Sequence, residues 1–299
     1  MIHYDPHRWR NHFFQLRGSA FREILARVAT CVVWSGAVVA FHRHYQPVGI
    51  PSLLHSLTGF AIGLLLVFRT NASYDRYWEG RRLWGGIVNA CRNLVRSASI
   101  HIDDPALVQA IARWTAAFPY ATMASLRGLA SVDPAGRYLP SAEADAVRQA
   151  QHVPLAVLAK VGELVKQARR QGLIGEVAHV SIDQSIKELV DCLGGCERIR
   201  NTPLPFAYVV HLRRALVLYC FSLPFALVET YGWATVADVF LVAYVFFGIE
   251  EIGVEIEGPF GYDANDLPLE EICSRVEHNL LALAGLTPEA KPDPLPEGL

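Results

Sequence analysis

The chain has 299 residues, of which 52% are hydrophobic and 19% charged, and its formal net charge is −2. The charged fraction is below the roughly 25% of an average soluble domain, and the near-zero net charge excludes bulk electrostatic attraction to nucleic acid. The length admits one large or two ordinary domains.

The N-terminal stretch "MIHYDPHRWRNHFFQLRGSAF" is basic and lacks a signal-peptide apolar region followed by a small-residue cleavage site. Val28 to His42 is uncharged, and this segment extends back toward Phe21 because Arg22 and Arg27 can snorkel. From His44 to Phe68 there is no Asp, Glu, Lys or Arg, a run longer than the roughly eighteen residues that signal a membrane span. Within it, Gly59 and Gly63 form a G-x-x-x-G that permits close helix approach. Phe60, Leu64 and Phe68 recur at i, i+4 and i+8. That stripe reads either as a lipid-facing or core face, or as a hydrophobic constriction lined by several subunits. "FRTNASYDRYWEGRRLWG" follows without a linker. Its Asn71, Ser73 and Asp75 can satisfy backbone groups where the helix is expected to bend or break at the membrane edge.

About residues 82–203 are helical in character, with apolar residues at 3–4 spacing in "ALVQAIARWTAAF". "SAEADAVRQAQHVPLAVLAKVGELVKQARRQG" reads as a helix capped by Ser141, with acids in its first turn and basic residues at its end. "VSIDQSIKELVDCLGGCERIR" reads as an amphipathic helix that stops near Gly194-Gly195. Two further apolar segments follow: Ala215 to Val228 with Pro224 in its middle, and Val239 to Ile249 ending at Glu250-Glu251. Each is short for a lone span, and the surrounding charges decide the matter. Arginines precede the first and third segments and follow the second, whereas "HRHYQPVG" and "ETYGWATVAD" hold almost none. This is the positive-inside pattern of two hairpins with both termini cytoplasmic.

In "GVEIEGPFGYDANDLPLEEI", Pro259, Gly261 and Pro268 forbid a continuous helix. Asp263, Asn265 and Asp266 gather oxygen atoms there, either as a hard-cation site or as Asx-turn chemistry and a cap for the next helix. A Pro-rich tail closes the chain and is expected to be disordered or draped on the surface.

No phosphate loop, nucleophile elbow, zinc-protease motif or EF-hand loop is present. The six cysteines lack paired metal-ligand spacing. His55, inside the second segment, reads as an interfacial hydrogen-bonding residue rather than a proton relay.

"GFAIGLLLVFRTNASYDRYWEGRRLWG", "GGCERIRNTPLPFAYVVHLRR" and "EIEGPFGYDANDLPLEEIC" together resemble the bacterial bestrophin family, over roughly Phe21 to Leu283. The resemblance implies an all-α membrane protein assembled as a homopentamer around one axial pore. Membrane-embedded segments are expected at about 21–43, 50–69, 212–230 and 234–251, with a cytosolic helical part at about 82–205 and 252–285. It implies a non-enzymatic ion channel of the cell inner membrane, with lipid, its own copies and monovalent ions as partners. The hydrophobic neck maps to Phe60, Leu64 and Phe68, and the cytosolic aperture to Val177. Asp263 and Asp266 fall where the calcium clasp of animal members lies. Ala264 and Asn265 interrupt the acidic run, and Gly258 removes an oxygen-bearing side chain, so no cofactor is required and Ca2+ at Asp263 and Asp266 stays an open alternative. Bacterial relatives are associated with Na+ or K+ conduction and animal and plant relatives with Cl−. The neck carries no charge, and Glu176 beside Val177 favours cations by placing an acidic ring at the aperture.

Overall fold

The computed structural model describes Gly18 and residues 20–287. The expected disordered tail and the first basic residues, Arg8, Arg10 and Arg17, lie outside the described residues. In chain order the helices are α1 (Phe21–His44), α2 (Ser52–His101), α3 (Pro105–Leu126), α4 (Ser141–Arg148), α5 (Val153–Arg170), α6 (Glu176–Asn201), α7 (Phe206–Tyr231), α8 (Thr235–Glu255) and α9 (Leu269–Leu283). Single 3-10 turns occur at Ala135–Tyr138 and Gly232–Ala234. The chain divides into two compact units, one of residues up to Glu79 with Asn201–Asp266, the other of Gly80–Arg200 with the residues from Leu267.

In the first unit, α1, the first half of α2, α7 and α8 form an up-and-down bundle. Phe21–His44, Ser52–His101 and the joined pair Phe206–Glu255 are long and apolar enough to cross a membrane. Antiparallel pairing of α7 and α8 is fixed by contacts that widen about Gly232: Tyr219 stacks on Phe246 at 5.5 Å, and Arg213 meets Glu250 at 2.9 Å. Gly232 has φ of 52°, a left-handed conformation that glycine adopts without strain, so the chain reverses there. The core between the helices is apolar, built on Ile24 and Val28 of α1, Ile62 and Leu66 of α2, Leu216 of α7 and Phe247 of α8. Lipid tails are as apolar as these side chains, so dispersion and fit hold the bundle rather than transfer from water. Pro224 lies inside α7, where the helix absorbs one missing backbone donor.

In the second unit, α3 packs against α5 and α9. Asp104 caps α3, its carboxylate accepting the N–H groups of Ala106 at 2.9 Å and Leu107 at 3.3 Å. Buried Glu277 of α9 accepts the Tyr120 hydroxyl at 2.7 Å and the Arg137 guanidinium at 3.1 Å. Burial, and then the hydrogen bond to Glu277, raise the Tyr120 pKa. The second half of α2 and α6 meet closely at two glycines. A Cβ on Gly86 would lie 2.7 Å from Cys192 Sγ, and one on Gly195 would lie 2.7 Å from a Leu83 methyl.

Three local expectations are corrected. First, α2 does not break after Phe68. It runs unbroken from Ser52 to His101, 50 residues in all, because no proline interrupts it. Second, the stretch from Ser141 to Arg170 is two helices. Pro154 sits in the first turn of α5, and His152, not Ser141, supplies the side-chain cap, accepting the Leu155 N–H at 3.3 Å. Third, α6 runs through Gly194-Gly195 to Asn201. Gly195 serves close approach to Leu83, not termination. The loop Ile256–Pro268 interrupts helix as its prolines and glycine require.

Candidate functional site

The first half of α2 has two faces. Ile62, Leu66, Arg69 and Ser73, at spacings of 4, 3 and 4, are buried in the bundle. Phe60, Leu64 and Phe68 turn away from it and are 76%, 46% and 58% exposed. Among the described residues, this stripe is left largely uncovered. The hydroxyls nearby do not need outside partners, since Ser56 donates to the Ser52 carbonyl and Thr58 to that of Leu54. His55 sits beside the stripe, at the contact with α7. Its Nε2 is 3.3 Å from both the Tyr219 carbonyl and Ser222 Oγ, and its ring stacks on Tyr219 at 4.8 Å. That is the interfacial hydrogen-bonding role expected of it. Of the two G-x-x-x-G glycines, only Gly59 makes a close approach: its Cβ would lie 2.5 Å from the Tyr219 hydroxyl, whereas Gly63 faces open space.

Directly after Phe68 lies an ionic cluster that sequence reasoning missed. Arg69 is 1% exposed and Glu250 is 3% exposed. Arg69 Nη1 donates to Glu250 Oε1 at 2.6 Å, and Arg213 Nε donates to the same oxygen at 2.9 Å. Arg27 donates to Glu251 at 2.7 Å and lies 3.5 Å from Glu250. The second Arg69 nitrogen lies 3.7 Å from Glu257. All four membrane helices therefore meet in one cluster of charges. The signal was present: Arg27, Arg69, Arg213 and Glu250 stand at the same end of the four apolar segments. The positive-inside rule uses the arginines to orient the chain, yet equal depth also predicts that opposite charges pair.

Val177 lies in the first turn of α6 in the second unit and is 86% exposed. Glu176 beside it accepts from Arg169 Nη2 at 3.2 Å. The acid expected at the aperture thus carries a guanidinium partner, which tempers the negative potential it can offer.

In the loop after α8, the Asp266 carboxylate accepts the Asp263 N–H at 2.9 Å. Asn265 Nδ2 donates to Glu255 at 2.6 Å and to the Gly18 carbonyl at 3.3 Å. Among the described residues, no group of three or more His, Cys, Asp or Glu converges as a metal site. Calcium takes six to eight oxygen ligands; in this loop one Asp266 oxygen is committed to the Asp263 N–H. The Asp266–Asp263 hydrogen bond is turn chemistry.

An all-helical membrane protein with an uncovered apolar stripe on α2, and with several ionisable groups drawn into structural pairs, has the architecture of a pore subunit or scaffold. Comparison with known proteins separates these. The family model described as "Bacterial/Fungal Bestrophin protein" matches residues 1–282. A voltage-dependent anion channel-forming protein of Nostoc sp. is 40% identical over 294 residues, covering 97% of this chain and 96% of that protein. The voltage-dependent anion channel-forming protein YneE of Escherichia coli K12 is 34% identical, covering 95% and 94%. The crystal structure of a bacterial bestrophin homologue from Klebsiella pneumoniae superposes with a TM-score of 0.84 at 32% identity, covering 89% of this chain and all of that one. The chain belongs to the bacterial/fungal bestrophin family. It is an ion channel and not an enzyme.

Proposed function

We propose that this protein is a homopentameric channel for monovalent ions in the bacterial inner membrane, with both termini in the cytoplasm. Phe60, Leu64 and Phe68 form its neck and Val177 its aperture. One observation carries the reading: α2 buries one face in its own bundle and leaves the stripe Phe60–Leu64–Phe68 bare. A single helix cannot enclose a path, so copies of the chain supply the rest of the ring. The uncharged constriction controls wetting rather than the sign of the ion.

Na+ and K+ are the favoured ions, because Glu176 is an acid next to the aperture residue and the three neck residues themselves carry no charge. Conduction of Cl− is the second reading, supported by the names of the Nostoc and E. coli relatives and by the Arg169 partner of Glu176. Reversal potentials of purified protein in planar bilayers under an asymmetric NaCl gradient separate the two. A reversal near the Na+ equilibrium potential supports the first, and one near the Cl− potential replaces it with the second. Calcium has no required role in this reading, so currents are expected to persist unchanged in EGTA.

A further inference from the structure

Phe68 and Arg69 are consecutive, so their side chains leave α2 about 100° apart. One faces away from the bundle and the other is wholly inside it. Besides buried Ser73 and the Tyr208 hydroxyl, which donates to the Leu65 carbonyl at 2.9 Å, the buried contacts of this part of α2 are apolar, through Ile62 and Leu66. Such contacts are non-directional, and in a membrane lipid tails compete for them on equal terms. By themselves they leave the rotation and depth of the helix weakly specified. A planar guanidinium fork held by carboxylates specifies both.

The cluster has the form such a device needs. The Arg69 fork bridges Glu250 at the end of α8 and Glu257 in the following loop, at 2.6 Å and 3.7 Å. The Arg69 stem lies against Gly253, where a Cβ would be 3.7 Å from Nε. Glu250 is approached from its other sides by Arg213 of α7 and Arg27 of α1. With Glu251 and Glu257, three carboxylates face three guanidinium groups, so the cluster is charge-balanced. Glu257 is itself anchored, since its carbonyl accepts Arg76 Nε at 3.1 Å and its carboxylate accepts the Leu204 N–H at 3.0 Å.

We propose that the Arg69–Glu250 pair is a positioning device for conduction. It fixes the rotation and depth of α2 so that Phe68 points into the ion path. This rests on the reading of Phe60, Leu64 and Phe68 as the neck.

The test is the double variant R69M/E250L. Removing both charges together strands neither member of the pair, and Glu257, which loses Arg69, keeps the Leu204 N–H. Arg27 keeps Glu251, and Arg213, with its side chain half exposed, reaches water. The expected result is an assembled channel of unchanged mass whose unitary conductance differs at least twofold from that of the unaltered protein. A merely structural role would change yield or Tm and leave conductance per channel as it was. Unaltered conductance in assembled R69M/E250L therefore overturns the proposal. Should that variant fail to assemble, R69K decides, because it keeps the charge and loses the fork. Altered unitary conductance in assembled R69K supports the proposal and unaltered conductance overturns it. Loss of assembly in both variants also overturns it, since the pair would then hold the bundle together rather than aim Phe68. The control is F60A/L64A/F68A. If that variant conducts as the unaltered protein does, the neck reading fails first, and this proposal with it.

Discussion

Phe68 and Arg69 show how far a single residue can be read. The spacing of Phe60, Leu64 and Phe68 gave their shared face directly, because an α-helix repeats every 3.6 residues. The partner of Arg69 was not legible, because Glu250 is distant in sequence and only the closed bundle brings the two together. Removing Arg69 takes away the most buried guanidinium partner of Glu250, while Arg213 and Arg27 remain. Arg69→Met alone is therefore expected to destabilise the protein by about 1–3 kcal/mol, read as a loss of detergent-stable protein by size-exclusion chromatography relative to the unaltered protein. At the start of α9, Glu270 pairs with Arg127. Burial acts to raise the Glu270 pKa, but the Arg127 hydrogen bond and charge outweigh it and hold the carboxyl below its ordinary 4.5. A lowered folded-state value stabilises the fold above the unfolded pKa and is lost as pH falls through the folded one. Glu270→Gln should therefore lower Tm at pH 7 and have no effect at a pH below the folded value. With the carboxylate more than half exposed, the difference is about 0.5 kcal/mol.

At the scale of the element, α2 departs most from what its residues suggest. Asn71, Ser73 and Asp75 look like a helix end, yet they are simply carried along an unbroken helix. Polar residues cap helices only where the backbone stops pairing with itself, and here neither proline nor glycine intervenes before Gly80. The same limit explains α6, where Gly194-Gly195 looked like a stop and Gly195 is a contact with Leu83. A glycine needed for close approach and one needed for a C-cap are the same letter. On α2, Tyr74, Asp75 and Trp78 are exposed in the single chain, on the same helix as the proposed neck stripe. Asp75→Ala and Trp78→Ala are thus expected to reduce assembly, measured by native mass, more than they alter the reversal potential. A stable pentamer with shifted selectivity would contradict that. Gly86→Val places a branched side chain against Cys192 Sγ, where even a Cβ would sit at 2.7 Å. It should lower stability by about 1–3 kcal/mol, seen as a lower Tm.

At the scale of the whole molecule, hydropathy and arginine placement sufficed for an all-helical membrane protein, because lipid admits few backbone solutions. They could not reveal the acid–base partnership of Glu176 with Arg169, which links the end of α5 to the start of α6. That pair bears on selectivity. Glu176→Gln removes an acid and frees Arg169, so the permeability ratio of Cl− to Na+ should rise in bilayers under a salt gradient. The central claim is that copies of the bare α2 stripe enclose the ion path. Its most direct measurement is the unitary conductance of purified F60A/L64A/F68A beside that of the unaltered protein in planar bilayers of one composition. Widening a ring of large apolar side chains to methyl groups should raise the conductance of each channel severalfold while the assembly keeps its mass. Equal conductance in the two, or no unitary currents from the unaltered protein across a wide range of voltage, would contradict it.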